Sequence, residues 1–219
     1  MEFRAAFKPL TVEPDKIYEY SFSIIAEEMG EHHFTEEEWT VVRRVIHASA
    51  DFQLGRSVKF TPDAIQAGVD SILAGHHVIA DVQMIESGSG KKRFQKHGGD
   101  LHCYIADEDV TIEAKKLKTT RAIISMQKAV RTHKGGIYAI GNAPTALLEL
   151  IRLIKEGVAK PDLIIGMPVG FVSAAESKEE LLQLEGIPYI TNVGRKGGST
   201  VTVAALNAIS LLADEQAKK

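Results

Sequence analysis

The sequence predicts an α/β protein: a mainly parallel sheet of about five strands with helices on both faces, preceded by an N-terminal helical segment. Three observations carry that class. From His77 onward, short apolar runs alternate with helix-length amphipathic patterns, the signature of βαβ units. Leu163, Ile164 and Ile165 form an apolar run without alternation, as a parallel strand covered on both faces does. Gly166, Pro168 and Gly170 then interrupt it with a constrained turn. A turn between a parallel strand and its helix lies at the carboxyl edge of the sheet, where open α/β folds bind ligands.

The elements follow in chain order. Asp15 to Met29 reads as a helix, with Pro14 at its start and Ile17, Tyr20, Ile24 and Ile25 on one side. Thr35 and Glu38 have capping-box spacing, and Trp39, Val42, Val45 and Ile46 give the next helix an apolar stripe, with His47 near its carboxyl end. Thr61 as cap and Pro62 at the first position open a third helix that Gly75 ends. Strands are expected at His77 to Val82, Leu101 to Ala106, Gly136 to Gly141, Leu163 to Gly166 and Pro188 to Thr191. Helices fill the intervals: Thr119 to Arg131, Ala143 to Lys155, Ala175 to Leu184 and Ser199 to Asp214. Glu86 to Asp100, glycine-rich and basic, is expected to be a mobile loop. Its Lys91, Lys92, Arg93 and Lys96 read as a solvated loop face before they read as an anion site.

With 219 residues, 44% hydrophobic and 25% charged, the chain suits one domain spanning residues 1–219. A net charge of −3 gives no global footprint for nucleic acid or an anionic membrane. The single cysteine, Cys103, excludes an internal disulfide framework and fits a reducing cytoplasm. No apolar run approaches a membrane span, and the start lacks a signal peptide's basic and apolar regions, so a soluble, unprocessed cytoplasmic protein is expected.

Candidate chemistry clusters at helix starts. Gly141 to Leu150, GNAPTALLEL, offers Asn142 as a cap, Pro144 in the first turn and the Thr145 hydroxyl. Such an end presents N–H groups to carboxylates or phosphates, though an ordinary crossover helix looks the same. Gly194 to Ser199, GRKGGS, sets two cations before a glycine pair opening the last helix, without the Walker pattern. Thr119, Thr120 and Arg121 begin another helix, and a guanidinium there can grip a carboxylate bidentately. His47, in RRVIHASAD, is a candidate acid or base, although a lone histidine near a helix end is more often structural. His32 and His33, and His76 and His77, are adjacent pairs without the spacing of helical metal ligands, so no metal site is expected. No GxGxxG supports a dinucleotide site. Together, these first turns suit one large ligand bearing several carboxylates.

Six motifs in order, RVIHASAD, DVQMIESG, TTRAIISM, GNAPTALLEL, PVGFVSAAESKEELL and GRKGGS, resemble the precorrin-8X methylmutase family of cobalamin biosynthesis, from about Ser21 to Asn207. The resemblance implies an intramolecular transferase that moves a methyl group from C11 to C12 of a polycarboxylated tetrapyrrole. It implies no cofactor, a homodimer with its active site near the subunit interface, and transient contact with neighbouring enzymes of the pathway.

The family's catalytic histidine falls on His47, as the acid that protonates the ring. Substrate contacts fall on Ser21, on Asp81 and Met84 of DVQMIESG, and on Thr120 and Arg121. They continue through Asn142, Ala143, Pro144 and Thr145, then Val169, Gly170 and Phe171 of the turn under the ring. The glycine cradle adds Lys196, Gly197, Gly198 and Ser199. Glu176 and Lys178 are expected to pair with each other at the helix start. Two departures bear on substrate choice: Tyr20 stands where the family often has arginine, and His76 and His77 follow Gly75 where a small residue is expected. A non-catalytic tetrapyrrole carrier with the same pocket is the rival function.

Overall fold

The computed structural model describes residues 12–133 and 135–218. The chain divides after His33 into two compact units. In the first, helix α1 (Pro14–Met29) begins with proline in its first turn and ends at Gly30, whose positive φ of 61° suits a residue without Cβ. Ile25 and Met29 are buried, but Ile17, Tyr20 and Ile24 are exposed, so much of the expected apolar stripe faces outward.

The second unit opens with α2 (Glu36–Ser49). Its capping box is complete: the Thr35 hydroxyl accepts from the Glu38 N–H at 3.2 Å, and the Glu38 carboxylate accepts from the Thr35 N–H at 2.9 Å. Val41, Val42, Val45 and Ile46 are fully buried, while His47 on the last turn is exposed. A short α3 (Phe52–Arg56) and strand β1 (Val58–Phe60) follow, neither foreseen, because elements this short carry no period. Helix α4 (Ala64–Leu73) starts later than expected. Thr61 caps nothing; its backbone and hydroxyl pair instead with the backbone of Tyr189.

Strand β2 (Val78–Ala80) leads into α5 (Gln83–Gly88) and α6 (Lys91–Lys96), so the expected loop over Glu86 to Asp100 is largely two short helices. Phe94, buried under α6, supplies the apolar anchor that the basic residues around it mask in the sequence. Strand β3 (Leu101–His102) is shorter than expected, and α7 (Glu108–Leu117) fills a stretch left unassigned. The rest matches the expected order: α8 (Arg121–Thr132), β4 (Ile137–Ile140), α9 (Pro144–Lys155), β5 (Leu163–Gly166), α10 (Ala174–Leu182), β6 (Tyr189–Asn192) and α11 (Ser199–Gln216).

The strands form one six-stranded sheet in the order β1-β6-β5-β4-β2-β3, parallel except for β1, which pairs antiparallel with β6. Helices cover both faces. Tyr138, Ile140 and Ile164 join Met126, Leu147 and Leu150 of α8 and α9 in one buried cluster. On the other face Gly68 of α4 lies against Leu163 and Ile209 so closely that an added Cβ would sit 2.7 Å from Leu163. Strand β3 lies on one side of β2 and β4 on the other, so the chain reverses its direction of winding between β2 and β4. That switch point opens a crevice at the carboxyl ends of those strands. No described helix is long and apolar enough to cross a membrane.

Candidate functional site

One buried carboxylate organises the crevice. Asp81 follows β2, is 2% exposed, and accepts from the N–H groups of Gly141 at 3.0 Å, Asn142 at 2.9 Å and Ala143 at 2.7 Å. Those residues form the turn between β4 and α9. Burial pushes the Asp81 carboxyl above the ordinary carboxylate range, against the pull of the three N–H donors on the charged form. Asp81 therefore touches the turn rather than open crevice, and its part in the site is to hold that turn's shape. Asn142 is exposed and does not cap α9; the cap position is Ala143, with no side-chain bond to the helix's first N–H groups.

Glycines let neighbouring turns close on this one. A Cβ at Gly141 would lie 2.5 Å from the Thr202 hydroxyl and 2.9 Å from the Ser199 Cα, so the start of α11 packs directly on the β4–α9 turn. Gly197, at φ 150°, passes so near the β5–α10 turn that a Cβ would meet the Met167 carbonyl at 2.3 Å. Two backbone bonds fasten the same contact, Gly198 N–H to Met167 O at 2.8 Å and Gly170 N–H to Arg195 O at 3.2 Å. The Arg195 guanidinium lies 5.8 Å from the centre of the Phe171 ring, which is 84% exposed.

Lys178 supports this arrangement from beneath. It does not pair with Glu176. Its side chain is fully buried, and its ammonium donates to the Lys196 carbonyl at 2.6 Å and the Asn192 side-chain oxygen at 3.4 Å. The Asn192 amide donates to the same carbonyl at 2.8 Å. Burial alone pulls the Lys178 ammonium down to about 8.

Lys196 then reaches across to the end of α2. Its ammonium lies 2.6 Å from an Asp51 carboxylate oxygen and 2.8 Å from the Gln53 side-chain oxygen. Asp51 also caps α3 by accepting from the Leu54 N–H at 2.9 Å, and the Lys196 bond holds its carboxyl below the ordinary range. The glycine cradle is thereby tied to the end of the helix that carries His47. Sequence reasoning missed Asp51, Gln53 and Asn192 in these roles; only Asp51, as the last letter of RVIHASAD, offered a signal.

The structure thus joins Asn142 to Thr145, Val169 to Phe171 and Lys196 to Ser199 along one edge. Thr120 caps α8 by accepting from the Ile123 N–H at 3.3 Å, and its hydroxyl lies 3.3 Å from that of Thr145, which places Arg121 beside the same edge. Met84 is exposed on α5. Ser21 belongs to the first unit, where its hydroxyl donates to the Ile17 carbonyl at 2.7 Å.

Helices α9, α10 and α11 all start at this edge without a side-chain cap. No side chain takes up their first-turn N–H groups, although α9 opens on Pro144, which has none, and its Ala146 N–H donates to the Ala143 carbonyl at 2.9 Å. Residues 16–212 match the precorrin-8X methylmutase family, and the chain belongs to it. A cobalt-precorrin-8 methylmutase of Priestia megaterium is 67% identical over 214 residues, 98% of this chain and 95% of that one. A protein of the same name from Leptospira interrogans is 50% identical over 206 residues, 91% of this chain and 94% of that one. The crystal structure of a precorrin-8x methyl mutase from Thermus thermophilus superposes with a TM-score of 0.85 at 41% identity, covering 92% of this chain and 97% of that one.

Two measurements probe this framework. Asp81→Asn keeps one acceptor oxygen and turns an NH2 toward N–H donors, at about 1–3 kcal/mol for each N–H left unpaired. Urea unfolding should give a lower midpoint, and an unchanged one would remove Asp81 from its organising role. For Lys178, the folded value near 8 lies below the roughly 10.4 of an unfolded lysine, so between those values the unfolded chain binds the extra proton. Folding stability should therefore rise with pH across that window, by roughly 3 kcal/mol at most from this group. Lys178→Met should flatten the rise relative to the parent protein; equal slopes would contradict the assignment.

Proposed function

We propose that this chain moves a methyl group from C11 to C12 of cobalt-precorrin-8, with His47 as the acid. The observation that carries this reading is the convergence of three uncapped helix starts on one edge, tied through Lys196 and Asp51 to the helix end bearing His47. A polycarboxylated macrocycle supplies several anions at once, and three helix ends together with Arg121 and Lys196 suit acetate and propionate arms. Pro168 to Phe171 would lie under the ring. Cobalt enters as part of the substrate, held by the macrocycle; the names of the two relatives favour the cobalt form.

The step needs a proton and no cofactor. Protonating a ring nitrogen beside C11 makes the conjugated system electron-poor. The methyl–C11 bond breaks as the methyl–C12 bond forms, and the π bonds shift in a 1,5-sigmatropic rearrangement. Imidazole suits the transfer because its ordinary pKa lies near working pH. The chain is taken to act as a homodimer, supported by apolar side chains left uncovered: Ile17, Tyr20 and Ile24 on α1, and Phe171 and Val172 beyond β5.

Purified protein mixed with substrate, and nothing else, should develop a corrin absorption spectrum. Bound substrate with no spectral change would contradict the mutase and favour a carrier. His47→Ala should retain binding while turnover falls by about 10²- to 10⁴-fold. A near-parental rate in that variant would remove the acid role.

A further inference from the structure

The opposite edge of the sheet carries a group the proposed methyl shift does not use. His77 immediately precedes β2, His102 ends β3, and His133 follows α8 ahead of β4. Fifty-five residues of chain lie between the first and the last, yet one nitrogen from each lies within 4.8 Å of the others. Their ring centres are 4.9 Å (His77–His102), 4.9 Å (His77–His133) and 4.6 Å (His102–His133) apart. We infer that His77, His102 and His133 bind a divalent transition-metal ion of borderline softness, such as zinc, cobalt or nickel, at the amino edge of the parallel strands.

The donor set and spacing fit such an ion. Imidazole is the nitrogen ligand these metals favour, and three of them leave a fourth position open. Bonds of about 2.0–2.1 Å in a tetrahedral site set neighbouring ligand nitrogens about 3.4 Å apart. The His77 Nδ1 and His102 Nε2 atoms are 3.4 Å apart. Metal binding would take the His77 lone pair from the Asp100 N–H, which now donates to it at 3.1 Å. The Tyr104 hydroxyl lies 2.7 Å from His133 Nε2 and orients that ring, as outer partners of ligating histidines do.

The surrounding loops are shaped to bring these rings together. A Cβ at Gly136 would lie 2.3 Å from the His77 carbonyl, and one at Gly99 2.4 Å from the His76 carbonyl, so the strand approaches need glycine. Asp162 gathers the Ser71 hydroxyl at 2.8 Å, the His76 Nδ1 at 2.6 Å and the Gly136 N–H at 3.0 Å, which turns His76 to a partner outside the cluster. A cavity of about 400 Å³, lined by Gly75, His76, His77, His133, Gly135 and Gly136, gives an ion and its water ligand a way in.

Titration of the full chain with Zn2+ and with Co2+ by calorimetry tests the site. One equivalent of each ion should bind, with affinity at least about tenfold weaker in His102→Gln and in His133→Gln and unchanged in His76→Gln. No binding, or equal affinity in the parent and the two ligand variants, would overturn the inference. The parent protein alone gives a second measure that does not depend on the variants folding. Its Co2+ complex should show the strong visible bands of four-coordinate cobalt, and only the weak bands of six-coordinate cobalt would contradict the site.

Discussion

The candidate site depends on a carboxylate that never faces it. At the point where the chain reverses its winding, Asp81 gathers three consecutive N–H groups of the β4–α9 turn. A turn with three donors pointing inward would leave them unpaired in a dry interior without such an acceptor. With Asp81 in place the turn is fixed, and with it the direction of α9 and the surface on which α11 starts. Desolvation of the charge opposes this arrangement, and the three bonds offset it in part.

From that point order spreads by close contact. Gly141 admits the start of α11, Gly197 admits the β5–α10 turn, and Lys178 ties the Lys196 carbonyl to Asn192 at the end of β6. The Lys196 ammonium, freed from that task by its own backbone, reaches Asp51 at the end of α2. Buried support and exposed surface thus separate within a few residues. The buried Lys178 supports the cradle, while Asn142, Val169 and Phe171 are exposed on the turns that follow β4 and β5. Rigid support beneath and accessible donors above are what a preorganised site for a large anion requires.

Much of this was legible in the sequence. The parallel strands announced themselves as apolar runs, and Leu163 to Gly166 was placed to the residue because Gly166 and Pro168 end it sharply. The glycine turns mark, for the same reason, the edge at which α9, α10 and α11 begin. The failures have a common cause: sequence order does not show where a side chain points. The resemblance places Asp81 among the substrate contacts; its carboxylate accepts from the N–H groups of the β4–α9 turn, a partner no spacing in the sequence shows. Lys178 read as a partner of Glu176 two residues away, yet it is buried under Lys196. Helices α5 and α6 read as loop because glycines and cations outnumber their buried anchors, Ile85 and Phe94. His77, His102 and His133 meet because β3 pairs beside β2, with His102 opposite Ile79, and the chain from α8 to β4 returns next to both, a relation with no local spacing to betray it.

A crystal structure of the protein with its tetrapyrrole product tests the central claim most directly. The macrocycle should lie across the carboxyl ends of β2 and β4, with its carboxylates on the N–H groups that open α9 and α11 and the His47 imidazole turned to the ring beside the migrated methyl group. A macrocycle bound away from those helix ends, or oriented with His47 remote from the ring, would contradict the account.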